Sequence, residues 1–148
     1  MPRSTTSSLF PDVNVWLALS YARHVHHAAA KGWFEGLGEG PDLHFCSITQ
    51  LGLLRLLTTT AVMGVEVLTQ PRAWEVYDRW LHDGRVVRTA EPPGLEAEFR
   101  ALTRRPHPSP HDWADAYLAA FARSAGLTLV TFDLGLARRV PEALALRG

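Results

Sequence analysis

The chain has 148 residues, of which 47% are apolar and 20% are charged, a composition typical of a globular domain with a hydrophobic core. Its 15 basic residues balance its 15 acidic residues, which argues against a protein that binds nucleic acid tightly and without sequence preference. No apolar run approaches the roughly 18 residues of a membrane-spanning helix, and the lone cysteine, Cys46, excludes an internal disulfide.

We expect one cytoplasmic domain over residues 1–148, since no repeat or low-complexity tract divides the chain and the polar start Met1–Ser8 lacks the apolar core of a signal peptide. Apolar periodicity, proline and glycine predict alternating strands and helices. In chain order these are a strand over 8–10, helices over 13–22 and 25–37, a strand over 43–46, a helix over 50–60 capped by Ser47 or Thr49, a helix from 69 to 84, a strand over 85–88, a helix over 94–102, a helix over 112–125, a strand over 127–131 and a weak strand over 143–146.

This alternation predicts a three-layer α/β/α domain with a mainly parallel central sheet. In such folds the ligand crevice lies at the carboxyl ends of the strands. Asp12 directly follows the first strand, Asp133 follows the strand that ends at Thr131, and Asp115 lies in the first turns of the helix leading into that strand. We therefore expect these three carboxylates to converge.

Three converging carboxylates repel one another unless a cation neutralises them. Oxygen ligands suit Mg²⁺ or Mn²⁺, and a metal so held lowers the pKa of a water and stabilises charge on a phosphate. The three acids thus predict a metal site for phosphodiester chemistry. A structural alternative stays open for each of them, because Asp12 and Asp133 are suited to cap a helix or turn and Asp115 complements a helix dipole.

Four segments carry a resemblance to a known family: "LFPDVNVWLAL", "HVHHAAAKGWF", "SITQLGLLRLL" and "DAYLAAFARSAGLTLVTFD". Together, and in this order, they resemble PIN-domain ribonucleases, and more closely the VapC-type toxins of bacterial VapBC toxin–antitoxin pairs. The resemblance implies a metal-dependent endoribonuclease with Asp12, Asp115 and Asp133 as Mg²⁺ or Mn²⁺ ligands. It also implies that Asn14 and Thr131 orient the metal, its water or a carboxylate, and that the chain forms a homodimer and binds a small antitoxin.

The helix beginning "ITQLGLLR" departs from the family pattern. Many members carry a Glu there, whereas this chain has Gln50 and Gly52 in that neighbourhood. The Gln50 amide oxygen could ligate a metal or hold a water, but it adds no charge. Asp112 either shares a helical face with Asp115 or caps their helix. Arg55 either faces the groove or pairs with an acid.

Two other function classes remain open. A PIN-like protein that binds RNA or a partner without cutting would account for the missing Glu. A receiver-like phosphoacceptor module also places acids at strand ends, but it needs a Lys after a late strand, and the only lysine is Lys31 in the second predicted helix. The sequence leaves open the RNA target, the number of metals and the role of the proline-rich loop 104–111.

Overall fold

The computed structural model describes residues 8–148. The polar start before Ser8, with the expectation that it carries no signal peptide, lies outside the described residues, and the single-domain organisation over 1–148 stays a prediction. In chain order the elements are β1 (Ser8–Pro11), α1 (Val13–Ser20), α2 (His27–Glu35), β2 (Asp42–Phe45), α3 (Ser47–Leu57), α4 (Thr60–Met63), a 3-10 turn (Gly64–Glu66), α5 (Gln70–His82), β3 (Val86–Arg88), α6 (Leu95–Leu102), α7 (Asp112–Ala125), β4 (Thr128–Thr131), α8 (Leu134–Ala137) and β5 (Leu144–Ala145).

The five strands form one parallel sheet in the order β3-β2-β1-β4-β5. Leu9 of β1 lies opposite Leu43 of β2 and Thr128 of β4, so β1 is the central strand. This confirms the predicted α/β class and the parallel sheet. The chain passes from β1 through β2 to β3 on one side and then returns to β4 on the other side of β1.

Helices cover both faces of the sheet, because successive strand residues point in opposite directions. Phe10 and Leu129 pack with α6 and α7 on one face, and Phe10 stacks on Phe121 with ring centroids 5.0 Å apart. On the other face Phe45 packs with α1, α3 and α5 and stacks on Trp16 at 4.0 Å. The three-layer architecture therefore follows from the alternation of buried side chains along short strands.

Several predicted boundaries move in the structure. The helix α1 ends at Ser20 rather than at residue 22, α2 begins at His27, and α3 begins at Ser47. Cys46, rather than Ser47 or Thr49, occupies the N-cap position, but Thr49 contributes to the cap as the third helical residue of a capping box, in which its hydroxyl accepts the Cys46 N–H at 2.9 Å. The short helices α4 and α8 were not predicted, since four residues carry too little periodicity to be recognised.

The segment that follows α3 runs in a different direction from α3. Within residues 8–148, no single helix is long and apolar enough to cross a membrane; α3 together with 60–66 has sufficient length and apolar composition, but the two parts are bent by 68°. Leu53 and Leu57 of α3 are buried in the core against α1 and α5. Packing inside the domain thus accounts for the apolar residues on the buried face of α3.

Gly52 allows α3 to pack closely on α1. A Cβ atom built on Gly52 would lie 2.6 Å from Cγ2 of Val13, a separation that side chains do not tolerate. A side chain at this position would require Val13 or one of the two helices to shift. The contact therefore holds α3 close to the start of α1.

We expect Gly52→Ala to lower the free energy of unfolding by about 1–3 kcal/mol, because the added methyl group overpacks the contact with Val13. Gly32→Ala in α2 is the matched control, since a Cβ there meets nothing within 4 Å, and it should raise stability by up to about 1 kcal/mol through helix propensity. Urea denaturation measures both changes.

Val13→Ala in the Gly52→Ala background should recover part of the loss in stability. A Gly52→Ala protein as stable as the wild type would contradict the close contact between Gly52 and Val13.

Candidate active site

A cavity of about 420 Å³ opens at the carboxyl ends of β1 and β4. It lies between α1, α3, α7 and α8. Among residues 8–148, the acids that line it are Asp12, Asp115 and Asp133. The remaining lining residues are mostly apolar and are Val13, Asn14, Ile48, Leu51, Gly52, Arg55, Leu56, Ala114, Leu118 and Leu136. The structure therefore brings together the three carboxylates that the sequence predicted to converge.

Asp12 is a nearly fully buried carboxylate, with 3% of its surface exposed. It occupies the N-cap of α1, where Oδ1 accepts the Val15 N–H at 3.2 Å, while its own N–H donates to the Val130 carbonyl oxygen at 2.9 Å. Burial raises the pKa of Asp12 from 3.8 to about 6, although hydrogen bonds from Thr131 and from backbone N–H groups oppose the rise. The predicted capping alternative is found, and the same side chain lines the cavity.

The hydroxyl of Thr131 connects the two strand-end acids. Thr131 is fully buried, its Oγ1 donates to Oδ2 of Asp12, and the same atom accepts the Asp133 N–H at 2.9 Å. Thr131 thus positions both the carboxylate of Asp12 and the backbone of Asp133. Thr131 does not line the cavity, so its geometry is that of a positioning residue.

Asp133 caps α8, since its Oδ1 accepts the Leu136 N–H at 3.1 Å, and its side chain also lines the cavity. Asp115 lies half-buried in the first turn of α7. Burial is the main cause that raises the pKa of Asp115, and the negative charge of Asp133 adds to the rise. Asp133 likewise contributes to the raised pKa of Asp12. The three carboxylates therefore form one electrostatically coupled group.

Asp112 does not cap α7, but it shares a face of that helix with Asp115, and its charge adds to the rise in the Asp115 pKa. His111 occupies the N-cap position of α7, and Asp112 is the first residue of the helix and does not line the cavity. Its carboxylate pairs with Arg105 at 3.2 Å and with Arg139. Burial alone would raise the pKa of Asp112, but the hydrogen bonds from Arg139 and Arg105 outweigh it, so this pKa lies below its usual value.

Arg139 is a structural residue that sequence reasoning missed. Besides Asp112, it donates to the Leu102 carbonyl oxygen at 2.9 Å, and so it joins the end of α6, the start of α7 and the segment after α8. Its positive charge also opposes the rise in the Asp115 pKa. No local pattern marks Arg139, because its partners are distant in sequence.

The helix α3 lacks the Glu that many members of the family carry, and its orientation shows which residues face the cavity instead. Gln50 does not line the cavity; its side chain lies near Tyr77 of α5, where it partly offsets the rise that burial causes in the Tyr77 pKa. The cavity-facing positions are instead Gly52 and Arg55, together with Ile48, Leu51 and Leu56. The predicted contact of Gln50 with a metal or a water has no support in this geometry. Of the two alternatives for Arg55, the structure shows the one in which it faces the cavity.

The donor set of the cavity suits a hard divalent cation. It consists of carboxylate oxygens and the exposed amide of Asn14, and among the residues that the structure describes no His or Cys lines the cavity. Within residues 8–148, no three His, Cys, Asp or Glu side chains lie close enough to form a ready-made metal cage. Mg²⁺ keeps several waters and takes one or two carboxylates directly, so such a cage is not required. The residues present therefore fit Mg²⁺ or Mn²⁺.

Comparison with known proteins assigns the family. The PIN-domain model matches residues 9–141. The chain belongs to the PIN-domain family. It is 47% identical over 129 residues to ribonuclease VapC41 of Mycobacterium tuberculosis, an alignment that covers 84% of this chain and 88% of the relative. Ribonuclease VapC39 of the same organism is 30% identical over 135 residues, covering 85% of this chain and 88% of that protein.

Solved structures share the PIN fold at lower identity. VapBC2 from Rickettsia felis, crystallised with a DNA fragment from its promoter, gives a TM-score of 0.66 at 13% identity and covers 93% of this chain and 96% of that chain. VapC20 of Mycobacterium tuberculosis, described as a sarcin–ricin loop cleaving toxin, gives a TM-score of 0.60 at 17% identity, with 85% and 88% coverage. These comparisons confirm that the chain is a VapC-type PIN-domain protein.

The raised pKa of Asp12 predicts a pH-dependent stability of the metal-free PIN domain. The folded state binds the Asp12 proton more tightly than the unfolded state, so this stabilisation is complete below pH 3.8 and is lost as the pH rises through about 6. Asp12→Asn keeps an N-cap residue and removes the charge, so its stability relative to wild type should rise by about 2 kcal/mol between pH 4 and pH 7.5.

Urea denaturation in EDTA measures this difference at each pH. Asp78→Asn, at an exposed position of α5 outside the cavity, controls for the loss of one negative charge. A stability difference between Asp12→Asn and wild type that does not change with pH would show that burial does not raise the Asp12 pKa.

Proposed function

We propose that this PIN-domain protein is a metal-dependent endoribonuclease and the toxin of a toxin–antitoxin pair. The observation that carries the proposal is the convergence of Asp12, Asp115 and Asp133 on one cavity at the carboxyl ends of β1 and β4. The identity of 47% to ribonuclease VapC41 over most of both chains supports RNA as the substrate. The receiver-like alternative is not supported, because Lys31 lies in α2, away from the late strands.

In this proposal the three acids hold Mg²⁺ or Mn²⁺, with Asn14 at the rim of the cavity. The bound metal would supply a polarised water and would stabilise negative charge on the phosphate. Thr131 keeps the Asp12 carboxylate in one orientation, and burial of Asp12 keeps bulk water away from one side of it. No protein nucleophile is needed, because the metal would supply the attacking water. Cys46 is not available for this role, since it is fully buried and does not line the cavity.

The first experiment is cleavage of a mixed RNA pool by the purified protein with Mg²⁺, with Mn²⁺ and with EDTA. We expect metal-dependent cleavage that falls at least about 100-fold in Asp12→Asn, Asp115→Asn and Asp133→Asn, because each variant loses a charged ligand. Asp78→Asn should retain full activity, because it lies outside the cavity.

Cleavage that persists in EDTA, or that survives all three substitutions, would contradict the metal site. No cleavage of any RNA by folded protein free of antitoxin would favour a PIN-like protein that binds RNA or a partner without cutting. The absence of a Glu on the cavity face of α3 would then be the structural reason.

Substitutions of Thr131 test its positioning role. Thr131→Val removes the hydroxyl and should reduce RNA cleavage by about 10–100-fold, while Thr131→Ser should retain most of the activity. Divalent-metal affinity measured by calorimetry should weaken in Thr131→Val and not in Thr131→Ser. Equal metal affinity and equal cleavage in the two variants would show that the Thr131 hydroxyl only stabilises the fold.

The proposal includes a cognate antitoxin, a homodimer and a cytoplasmic location. The structural neighbours described as VapBC proteins support an antitoxin partner. Apolar side chains exposed near the cavity also suit a protein partner, since Ile48 is 38% exposed and Leu51 is 63% exposed. Light scattering of the protein alone and with the product of a neighbouring small gene distinguishes monomer, homodimer and complex.

A further inference from the structure

Among the described residues 8–148, Arg55 is the single cationic side chain that lines the acidic cavity. It lies on the same wall of α3 as Gly52, one turn further along the helix, and faces the space bounded by Asp12, Asp115 and Asp133. Arg55 is exposed, and among residues 8–148 its guanidinium group forms no ion pair and no hydrogen bond. None of the arginines that pair with acids in residues 8–148 lines this cavity, so Arg55 is the guanidinium available there to a ligand.

The contact between α1 and α3 explains why this wall carries a cation and no acid. Gly52 faces the cavity but has no room for a side chain, because its Cβ position is 2.6 Å from Val13. Ile48, Leu51 and Leu56, which share the wall, are apolar. Arg55 therefore provides all the charge that α3 contributes to the cavity.

The charge balance of the cavity allows an anion to lie beside Arg55. With one divalent cation bound, three carboxylates and one guanidinium leave the cavity neutral, so an RNA phosphate can enter without net repulsion. Without Arg55 the same cavity would keep a net negative charge that opposes the phosphate. A guanidinium carries five donors and no acceptor, so it cannot act as a base, and its planar geometry suits two hydrogen bonds to a phosphate.

We propose that Arg55 binds a backbone phosphate of the RNA substrate beside the metal-binding acids. Leu51, which is 63% exposed, and Ile48 then lie against the adjoining sugar or base. The proposal rests on the ribonuclease function proposed above, and it assigns Arg55 to substrate binding rather than to metal binding. The neutral overall charge of the chain agrees with RNA binding concentrated at one site.

Binding of a fluorescein-labelled, mixed-sequence single-stranded RNA to the full chain tests the proposal, with anisotropy recorded in EDTA and in Ca²⁺ over a series of salt concentrations. Arg55→Gln should weaken binding by about tenfold or more. It should also reduce the slope of log affinity against log salt by about 0.7, the value for one phosphate contact on a single strand. Arg55→Lys should keep the slope and recover part of the affinity, because it retains the charge without the bidentate geometry.

The matched control is Arg72→Gln, an exposed arginine of α5 that does not line the cavity and whose pairing with Glu75 at 3.8 Å is long. It should leave RNA affinity and slope within about twofold of wild type. Where the wild type cleaves RNA, Arg55→Gln should raise KM more than it lowers kcat. Circular dichroism confirms that each variant is folded.

Each outcome decides between the two proposals. If the wild type binds RNA through Arg55 but cleaves none, the phosphate-binding role stands and the nuclease function fails. If the wild type cleaves RNA and Arg55→Gln keeps its affinity, slope and KM, the nuclease function stands and the role of Arg55 is overturned. Tighter metal binding by Arg55→Gln with unchanged RNA binding would show that Arg55 only neutralises the carboxylates, and an absence of RNA binding by the wild type would also overturn the proposal.

Discussion

The hydrogen bond from the Thr131 hydroxyl to the Asp12 carboxylate is the contact on which the site depends. Both side chains are buried, and the hydroxyl oxygen also accepts the N–H of Asp133. A buried carboxylate without such partners would cost several kcal/mol or would remain protonated. Because Thr131 ends β4 and Asp12 follows β1, this one bond holds the ends of two neighbouring strands in register with the cavity between the helices.

The topology of the sheet explains why the site forms at this position. The chain runs from β1 outward to β3 and then returns to β4 on the opposite side of β1. The connections leaving β1 and β4 therefore diverge, and in open parallel sheets a crevice forms at such a point, at the carboxyl ends of the strands. Asp12 and Asp133 line this crevice, and α7 brings Asp115 to its edge.

Burial of the Asp12 carboxylate lowers the stability of the fold, and in the proposed function the same buried charge attracts a cation. Burial raises the pKa of Asp12, so the folded protein keeps a carboxylate whose charge is unfavourable until a cation or a proton neutralises it. The hydrogen bonds from Thr131 and from the first turn of α1 offset part of this cost. Close packing of Gly52 on Val13 in turn excludes a further acid from α3 and leaves Arg55 as its charged contribution. The cavity thus combines acids from three elements with a cation from a fourth.

The sequence by itself determined the α/β class, the strands that carry the core and the three acids of the site. These features follow from local periodicity and from one topological rule, that the ends of parallel strands share an edge. Asp12, Asp115 and Asp133 could therefore be placed together without knowledge of any contact between them. Even the capping roles of Asp12 and Asp133 follow from the residues next to them.

Only the tertiary structure decided which neighbours of those acids face the cavity. Adjacent helical residues differ by about 100° in direction, so the sequence could not choose between Gln50, Gly52 and Arg55; the packed structure shows that Gly52 and Arg55 face the cavity. The ion pair of Asp112 with Arg139 could not be predicted for a similar reason, because Arg139 comes from a distant segment. Side-chain direction and long-range charge pairing depend on how elements pack, and that information is not contained in the spacing of residues along one element.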